Sequence, residues 1–179
     1  MDKRYSLGLM RALSLATVAA ILIQPIVFWA WFFLPAVFHG SVVRLDFFAA
    51  ITLSVLMVST VFVLVLGLPI FLAFRHFNKV GWLPLSASGF LISAFSIAIY
   101  SWPYRHSWDG YSSGGNWHGS YVKFFINGVP TIYEWLRYAE IVVIFGLHGM
   151  IGALIFINVW RRYVRPNPAF KRDALKRAP

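Results

Sequence analysis

Four long apolar runs, separated by short polar connections, constrain the fold of this chain more than any other feature. They cover residues 12–38, 47–74, 82–100 and 138–160, and Glu140 is the one carboxylate, lysine or arginine within them. A helix needs roughly 20 apolar residues to cross a hydrocarbon layer about 30 Å thick. The runs therefore predict an all-α integral membrane protein, built as a bundle of four transmembrane helices.

The composition argues against an ordinary water-soluble domain. Charged residues make up 12% of the chain and hydrophobic residues 59%, whereas about 25% of the residues of an average soluble domain are charged. A membrane β-barrel is not predicted either. Its strands alternate apolar and polar residues over segments of about ten residues, and the runs here are continuously apolar.

The basic residues predict how the helices are oriented. Most of the 16 lysines and arginines lie before the first run, between the second and third, and after the fourth. Short loops rich in lysine and arginine stay in the cytoplasm during insertion. Both termini are therefore expected in the cytoplasm, and residues 101–137 are expected to form an external loop. The residues on the cytoplasmic side are Lys3, Arg4, Arg11, Arg75, Lys79, Arg161, Arg162, Arg165, Lys171, Arg172, Lys176 and Arg177.

The predicted organisation is a single membrane domain with two short cytoplasmic ends. Residues 1–11 precede the domain, residues 12–164 form it, and residues 165–179 make a basic tail. Pro166 and Pro168 end the fourth helix, because proline cannot continue it. We expect the tail to be disordered, with a short interfacial helix as the alternative. The first run exceeds the roughly 7 to 15 apolar residues of a signal peptide, so it is expected to be an uncleaved anchor.

The net charge of +10 is explained by topology rather than by a nucleic-acid partner. A basic tail beside the inner leaflet attracts anionic lipids, with about 1 kcal/mol for each lysine or arginine. The expected partners are the bilayer, anionic inner-leaflet lipids at the tail, and either a membrane protein or a second copy of the chain.

Polar residues near the middle of each run predict a shared layer at the centre of the bundle. A polar group inside a bilayer has to find a partner there. One interpretation is a proton or substrate site in which His148 titrates. The other is a set of hydrogen bonds between helices, in which Gln24 and His148 satisfy each other. The layer consists of Gln24, Ser59, Thr60, Ser93 and His148.

Small residues in the fourth run predict close helix packing. Gly146, Gly149, Gly152 and Ala153 lie there, and Gly149 with Ala153 forms a small-xxx-small pair. Such pairs let a neighbouring backbone approach closely. Packing within the chain is the first interpretation, and homodimerisation through the same face is the second.

The external loop is rich in aromatic residues, which favour the headgroup layer of a membrane. Residues 121–126 followed by Asn127-Gly128 predict a strand and a turn, and hence a small β-hairpin. Thr131 and Glu134 fit a capping box for the fourth helix, and Glu134 and Arg137 are expected to pair on its outer surface. A metal site would draw on His39, His106, Asp109 and His118, but their spacing matches no zinc or copper signature, and no metal is predicted.

No pattern in the chain predicts catalysis. There is no GxSxG, no HExxH, no glycine-rich phosphate loop and no pair of carboxylates inside the runs. A b-type haem needs two histidines that face each other at one level of a bundle, whereas His39 is expected outside, His76 in the cytoplasm and His148 at the centre. The chain is therefore expected to be non-enzymatic and without a cofactor.

Several short motifs occur along the last two-thirds of the chain together with the hydrophobic patterning. They are Gly67-Leu68-Pro69, the basic turn 75–79, Gly81-Trp82, the segment 127–131 and the segment 146–153. With these motifs the chain resembles a class of small four-helix bacterial inner-membrane proteins that has no assigned activity. The resemblance implies a bacterial inner membrane and the same topology, but no functional residues.

Two functional hypotheses follow from the sequence. The first is a non-enzymatic interaction, accessory or immunity-type protein that binds a partner in the membrane or through the external loop. The second is a small transporter or proton-coupled carrier that uses the layer around Gln24 and His148.

Overall fold

The computed structural model describes residues 3–34, 38, 45–106 and 108–164. Within this part of the chain, four helical segments are long and apolar enough to cross a membrane, and a small three-stranded sheet accompanies them. The predicted count of four helices is thereby confirmed. The segments are Gly8–Phe32, Phe48–His76, Trp82–Arg105 and Ile132–Val164.

The helices extend beyond the apolar runs at several ends. The first begins at Lys3, before its run, but ends at Phe32, short of the predicted end at residue 38. The last begins about two turns before the predicted run and continues past it. The helices are α1 (Lys3–Phe32), α2 (Leu45–Phe62), α3 (Leu68–His76), α4 (Trp82–Tyr100) and α5 (Ile132–Val164), with a π turn at Val63–Gly67 and a 3₁₀ turn at Pro103–His106. The strands are β1 (Ser113–Trp117), β2 (Ser120–Ile126) and β3 (Val129–Pro130).

The chain divides into two compact units. The first comprises Met1–Leu85 and Gly152–Pro179, and the second comprises Ser86–Ile151. Helices α4 and α5 each contribute residues to both units.

Three alanines of α1 contribute the smallest side chains to the core of the first unit. Ala12, Ala16 and Ala20 follow one another at intervals of four residues, so they lie on one side of the helix, and all three are buried. Their small side chains allow neighbouring helices to approach closely. The larger members of this cluster are Phe71, Leu85, Phe156, Ile157 and Trp160.

Pro69 is accommodated by a wider turn of helix. Proline has no N–H and its ring crowds the carbonyl four residues earlier. The π turn Val63–Gly67 lies immediately before it, and the N–H of Leu68 donates to the carbonyl of Val63, five residues back. The π turn is therefore the local loosening of the helix that Pro69 requires. At Pro25, by contrast, α1 stays α-helical.

Helix α3 ends in a Schellman motif. Asn78 adopts a left-handed conformation with φ of 55°, which asparagine tolerates better than most residues. The Lys79 N–H then donates to the Phe74 carbonyl at 2.8 Å, and the Asn78 N–H donates to the Arg75 carbonyl at 3.1 Å. These two bonds satisfy carbonyls that the helix end would leave open.

The sheet of the second unit is an antiparallel meander in the order β1-β2-β3. Two-residue turns join its strands, His118-Gly119 in the first hairpin and Asn127-Gly128 in the second. All four turn residues have positive φ, as a type I′ turn requires. The predicted strand and its turn are confirmed. The first hairpin, with a histidine in the turn, adds a strand that the sequence analysis did not predict.

Candidate functional site

The small sheet has one covered face and one open face. In β2, Val122 and Phe124 are buried, whereas the residues that precede them, Tyr121 and Lys123, are exposed, as the alternation of a strand requires. The glycines of β1 make room for rings from β2. A Cβ on Gly114 would lie 2.9 Å from the Tyr121 hydroxyl, so this ring crosses the strand on the open face.

An ion pair in the first turns of α5 holds the covered face. The guanidinium carbon of Arg137 lies 4.2 Å from the centre of the Phe124 ring, within cation–π range. Its Nη2 donates to Oε1 of Glu134 at 2.9 Å and lies 2.6 Å from Oε2. The pair was predicted on the outer surface, which is wrong for the carboxylate: Glu134 is only 6% exposed. The sheet covers this side of the helix.

Glu140 provides a second attachment, one turn further along α5. Its Oε2 accepts a hydrogen bond from Nε1 of Trp117 at 2.9 Å and lies 3.3 Å from Nε2 of His118. Tyr133, Arg137 and Glu140 follow one another at spacings of four and three, so they lie on one face of the helix. The one charged residue of the apolar runs thus fastens the first hairpin to α5.

No role was predicted for Glu140 from the sequence. Its spacing could have indicated one: Glu140 lies on the same face of the helix as Tyr133 and Arg137, close to the predicted hairpin in the sequence. The partner was not visible, because Trp117 lies 23 residues away in the sequence and belongs to a hairpin that was not predicted.

The connection between the sheet and α5 differs from the predicted capping box. The Thr131 hydroxyl donates to the Lys123 carbonyl at 2.6 Å rather than accepting from a first-turn amide. The Glu134 N–H donates to the backbone carbonyl of Thr131 at 3.1 Å. The threonine therefore links the helix start to β2, and the carboxylate of Glu134 serves Arg137.

Aromatic rings join the end of α4 to the beginning of α5. The ring centres of Trp102 and Trp135 lie 5.3 Å apart, and those of Trp102 and Tyr138 lie 5.7 Å apart, both with edges toward faces. Tyr104 contacts Trp135 in the same way. Edge-to-face pairs add about 0.5–1.5 kcal/mol beyond the area they bury. The predicted aromatic loop is therefore packed against α5 in this part.

The residues considered for a metal do not form a ligand set within the described part of the chain, where no three histidines or carboxylates come together. His118 faces Glu140, and Asp109 is exposed. His39 and the side chain of His106 lie outside the described residues.

The predicted central layer is distributed over both units. In the first unit, Gln24 is buried, with 7% exposure, and its amide donates to the Ala20 carbonyl at 3.3 Å. The Thr60 hydroxyl donates to the Leu56 carbonyl at 2.7 Å, and Ser59 is half-buried. In the second unit, His148 is 8% exposed and Ser93 is half-buried. That these five residues form one layer stays a prediction.

Glycines of α5 allow close contacts within each unit. In the second unit, a Cβ on Gly149 would collide with the Ser93 hydroxyl and the Gly89 carbonyl, and a Cβ on Gly146 would lie 2.6 Å from the Phe90 ring. In the first unit, a Cβ on Gly152 would collide with the Gln24 amide. These neighbours give each of the three glycines a packing role inside one chain. Ala153 is half-buried.

Comparison with known proteins finds no match among family models, curated proteins or solved structures. The site is therefore interpreted from its own chemistry. It offers a folded sheet with an exposed aromatic and basic face, held by charged and aromatic contacts to one helix.

Proposed function

We propose that the chain is a multi-pass protein of a bacterial inner membrane with both termini in the cytoplasm. It acts as a non-enzymatic accessory or immunity-type protein, and the small sheet is its binding surface on the external side. The observation that carries the proposal is the attachment of the sheet to α5 through Glu134, Arg137 and Glu140.

The lengths of the helices support the membrane assignment. At roughly 1.5 Å per residue, α5 advances about 33 Å between Tyr138 and Trp160, close to the thickness of a hydrocarbon layer. Aromatic residues favour the two boundaries of that layer. Helix α2 supports the same assignment, because it exposes a series of large apolar side chains, which lipid would cover. They are Leu53, Met57, Val58 and Val61.

The attachment of the sheet supports a binding role. A loop that merely rests on the headgroups has no need of an ion pair with a buried carboxylate or of a carboxylate–indole bond. A surface that is held in place binds a partner without the cost of ordering itself, about 0.5–1.5 kcal/mol for each flexible side chain. The sheet presents Tyr121, which is 73% exposed, together with the exposed Ile126 and Val129, and Trp108 in the neighbouring loop is exposed as well.

Photo-crosslinking in native membranes tests the binding role. A photoreactive residue replacing Tyr121 is expected to capture one defined protein, whereas the same residue replacing Leu53 on α2 is expected to capture lipid. Glu140→Gln should reduce the capture at position 121, because it loosens the first hairpin. If the two positions give the same products, or if deleting residues 109–119 leaves every crosslink and every phenotype unchanged, the binding role is wrong.

A reporter fusion tests the orientation separately. An enzyme that is active only outside the cytoplasm, fused after Pro179, is expected to be inactive, and the same reporter inserted in the turn His118-Gly119 is expected to be active. The opposite pattern would overturn the topology while leaving the crosslinking result intact.

A transporter is the second candidate, and the burial of Gln24 and His148 in apolar helices favours it. Polar groups at such positions mark ion and substrate pathways in many membrane proteins. Gln24→Leu and His148→Leu would remove the pathway. If both variants fold and fully complement a deletion strain, this candidate is excluded.

A further inference from the structure

We propose that the cytoplasmic end of the first unit binds the phosphate headgroup of an anionic lipid. The inference rests on the orientation given under the proposed function and identifies a ligand class for a second part of the molecule. The site is formed by residues of α1, of the end of α3 and the turn that follows it, and of the last turn of α5, and it is distinct from the basic tail 165–179.

Packing of neighbouring apolar residues brings together the chain segments that carry these basic residues. Arg11 directly precedes the buried Ala12, and Arg161 directly follows the buried Trp160. Ala12 and Trp160 belong to the same packed cluster, in which Phe74 and Val80 also take part, so the turn between α3 and α4 lies there as well. The basic end, as we call it, comprises Arg11, Arg75, Lys79, Arg161 and Arg162.

Arg75 has the most defined position among these cations. Its guanidinium carbon lies 5.6 Å from the centre of the Trp160 ring, and Trp160 in turn packs edge-to-face on Phe71. A guanidinium over an aromatic ring keeps its outer N–H groups available for a second partner. The planar fork of arginine matches the oxygens of a phosphate.

The basic end has no protein counter-charge among its described residues. No aspartate or glutamate occurs among the side chains that the structure describes in residues 8–85 and 152–164. An anion from outside the chain is therefore the natural partner, and basic pockets between helices on the cytoplasmic side are typical sites for acidic lipid headgroups.

Exposed aromatic residues around the cations indicate a lipid rather than a free anion. Phe77 lies in the turn after α3, Trp82 begins α4, and Tyr163 lies in the last turn of α5, and all three are exposed. Aromatic rings of this kind favour the headgroup level of a bilayer. A ligand bound here would contact the cations with its phosphate and these rings with its glycerol and acyl carbons.

Native mass spectrometry of the full-length protein in a neutral detergent tests the proposal. The delipidated protein is titrated with dioleoylphosphatidylglycerol, with dioleoylphosphatidylcholine, and with sodium phosphate. We expect retention of phosphatidylglycerol over phosphatidylcholine, and no displacement of the lipid by millimolar phosphate. Equal retention of both lipids, or displacement by free phosphate, would overturn the lipid site.

Charge-removing variants locate the site. Arg11→Gln and Lys79→Gln change exposed side chains, and each is expected to weaken phosphatidylglycerol binding about fivefold. Arg75→Gln should do the same and Arg75→Lys should restore most of the binding. Lys123→Gln, an exposed cation on the small sheet, is the matched control and should have no effect.

Truncation after Val164 separates the basic end from the tail. The truncated protein is expected to keep its preference for phosphatidylglycerol. Loss of that preference on truncation, with Arg11→Gln and Lys79→Gln behaving as wild type, would transfer the site to the tail and refute the proposal. Because these measurements use micelles, they are independent of the orientation and crosslinking tests.

Discussion

The indole nitrogen of Trp117 donates to Glu140 Oε2 across 2.9 Å, and this bond links the first hairpin of the small sheet to the fourth membrane-length helix. The residues of α5 that follow Glu140 are apolar, so they offer its carboxylate no hydrogen-bond donor from their side chains up to Gly146. His118, in the turn of the same hairpin, lies 3.3 Å from the same oxygen.

Removing either side of this bond should loosen the hairpin without unfolding the helices. Trp117→Phe keeps the ring and removes the donor, and Glu140→Leu removes the acceptor. A hydrogen bond to a charged group contributes about 1.5–3 kcal/mol, so amide hydrogen exchange in residues 113–123 should accelerate by roughly one to two orders of magnitude. Ser120→Ala, at an exposed position of the same hairpin, is the control. Unchanged exchange in both variants would show that the bond does not hold the hairpin.

Neutralising either member of the Glu134–Arg137 pair should destabilise the protein, but by different amounts. Arg137→Gln leaves a buried carboxylate without its partner, whereas Glu134→Gln leaves an arginine whose side chain is 40% exposed. Breaking a fully buried pair costs about 3–5 kcal/mol, and solvent reduces this here, so we expect about 2–3 kcal/mol for Arg137→Gln and less for Glu134→Gln. Denaturation in detergent measures both. A larger effect from Glu134→Gln would contradict the burial assigned to that carboxylate.

Gly149 should tolerate no side chain. A Cβ there meets the Gly89 carbonyl and the Ser93 hydroxyl, and the backbone carbonyl cannot move aside. Gly149→Ala is expected to destabilise the protein by about 1–3 kcal/mol. The matched control is Gly8→Ala in α1, where nothing lies within 4 Å and alanine is the better helix former by about 1 kcal/mol. Thermal unfolding in detergent should separate the two variants, and equal midpoints would argue against close packing at Gly149.

The two turn glycines of the sheet provide another matched pair. Gly119 and Gly128 have nearly equal φ values, 81° and 80°, but only Gly128 is crowded, with a Cβ 2.6 Å from the Trp108 carbonyl. Gly119→Ala should cost only the left-handed strain of about 1–2 kcal/mol. Gly128→Ala should cost clearly more, because the loop at Trp108 has to shift as well. Hydrogen exchange across residues 108–130 would reveal this difference, and similar protection in both variants would refute the contact.

The sequence predicted the parts of the fold that depend on local properties. Four helices of membrane length follow from four apolar runs, since a continuous apolar helix satisfies its own backbone and needs no particular partner. The strand 121–126 and the turn Asn127-Gly128 were also predicted, because a type I′ turn is specified by the residues that adopt it. The start of α1 and both ends of α5 were predicted less accurately, because the polar turns there are not part of an apolar run. The other end of α1 lies at Phe32, although its apolar run continues to residue 38.

The candidate site was largely decided by tertiary structure. The carboxylate of Glu134 was expected at the surface, Thr131 was expected to cap the helix, and Glu140 had no assigned role. A contact with another segment decided the role of each. Thr131 bonds to Lys123, Glu140 bonds to Trp117, and Glu134 pairs with Arg137, which lies over Phe124. The sequence by itself determined which segments are helices, because hydrophobic length is a property of each segment alone. Only the tertiary structure decided what the charged residues of α5 do, because their partners lie up to 23 residues away and no local pattern encodes that pairing.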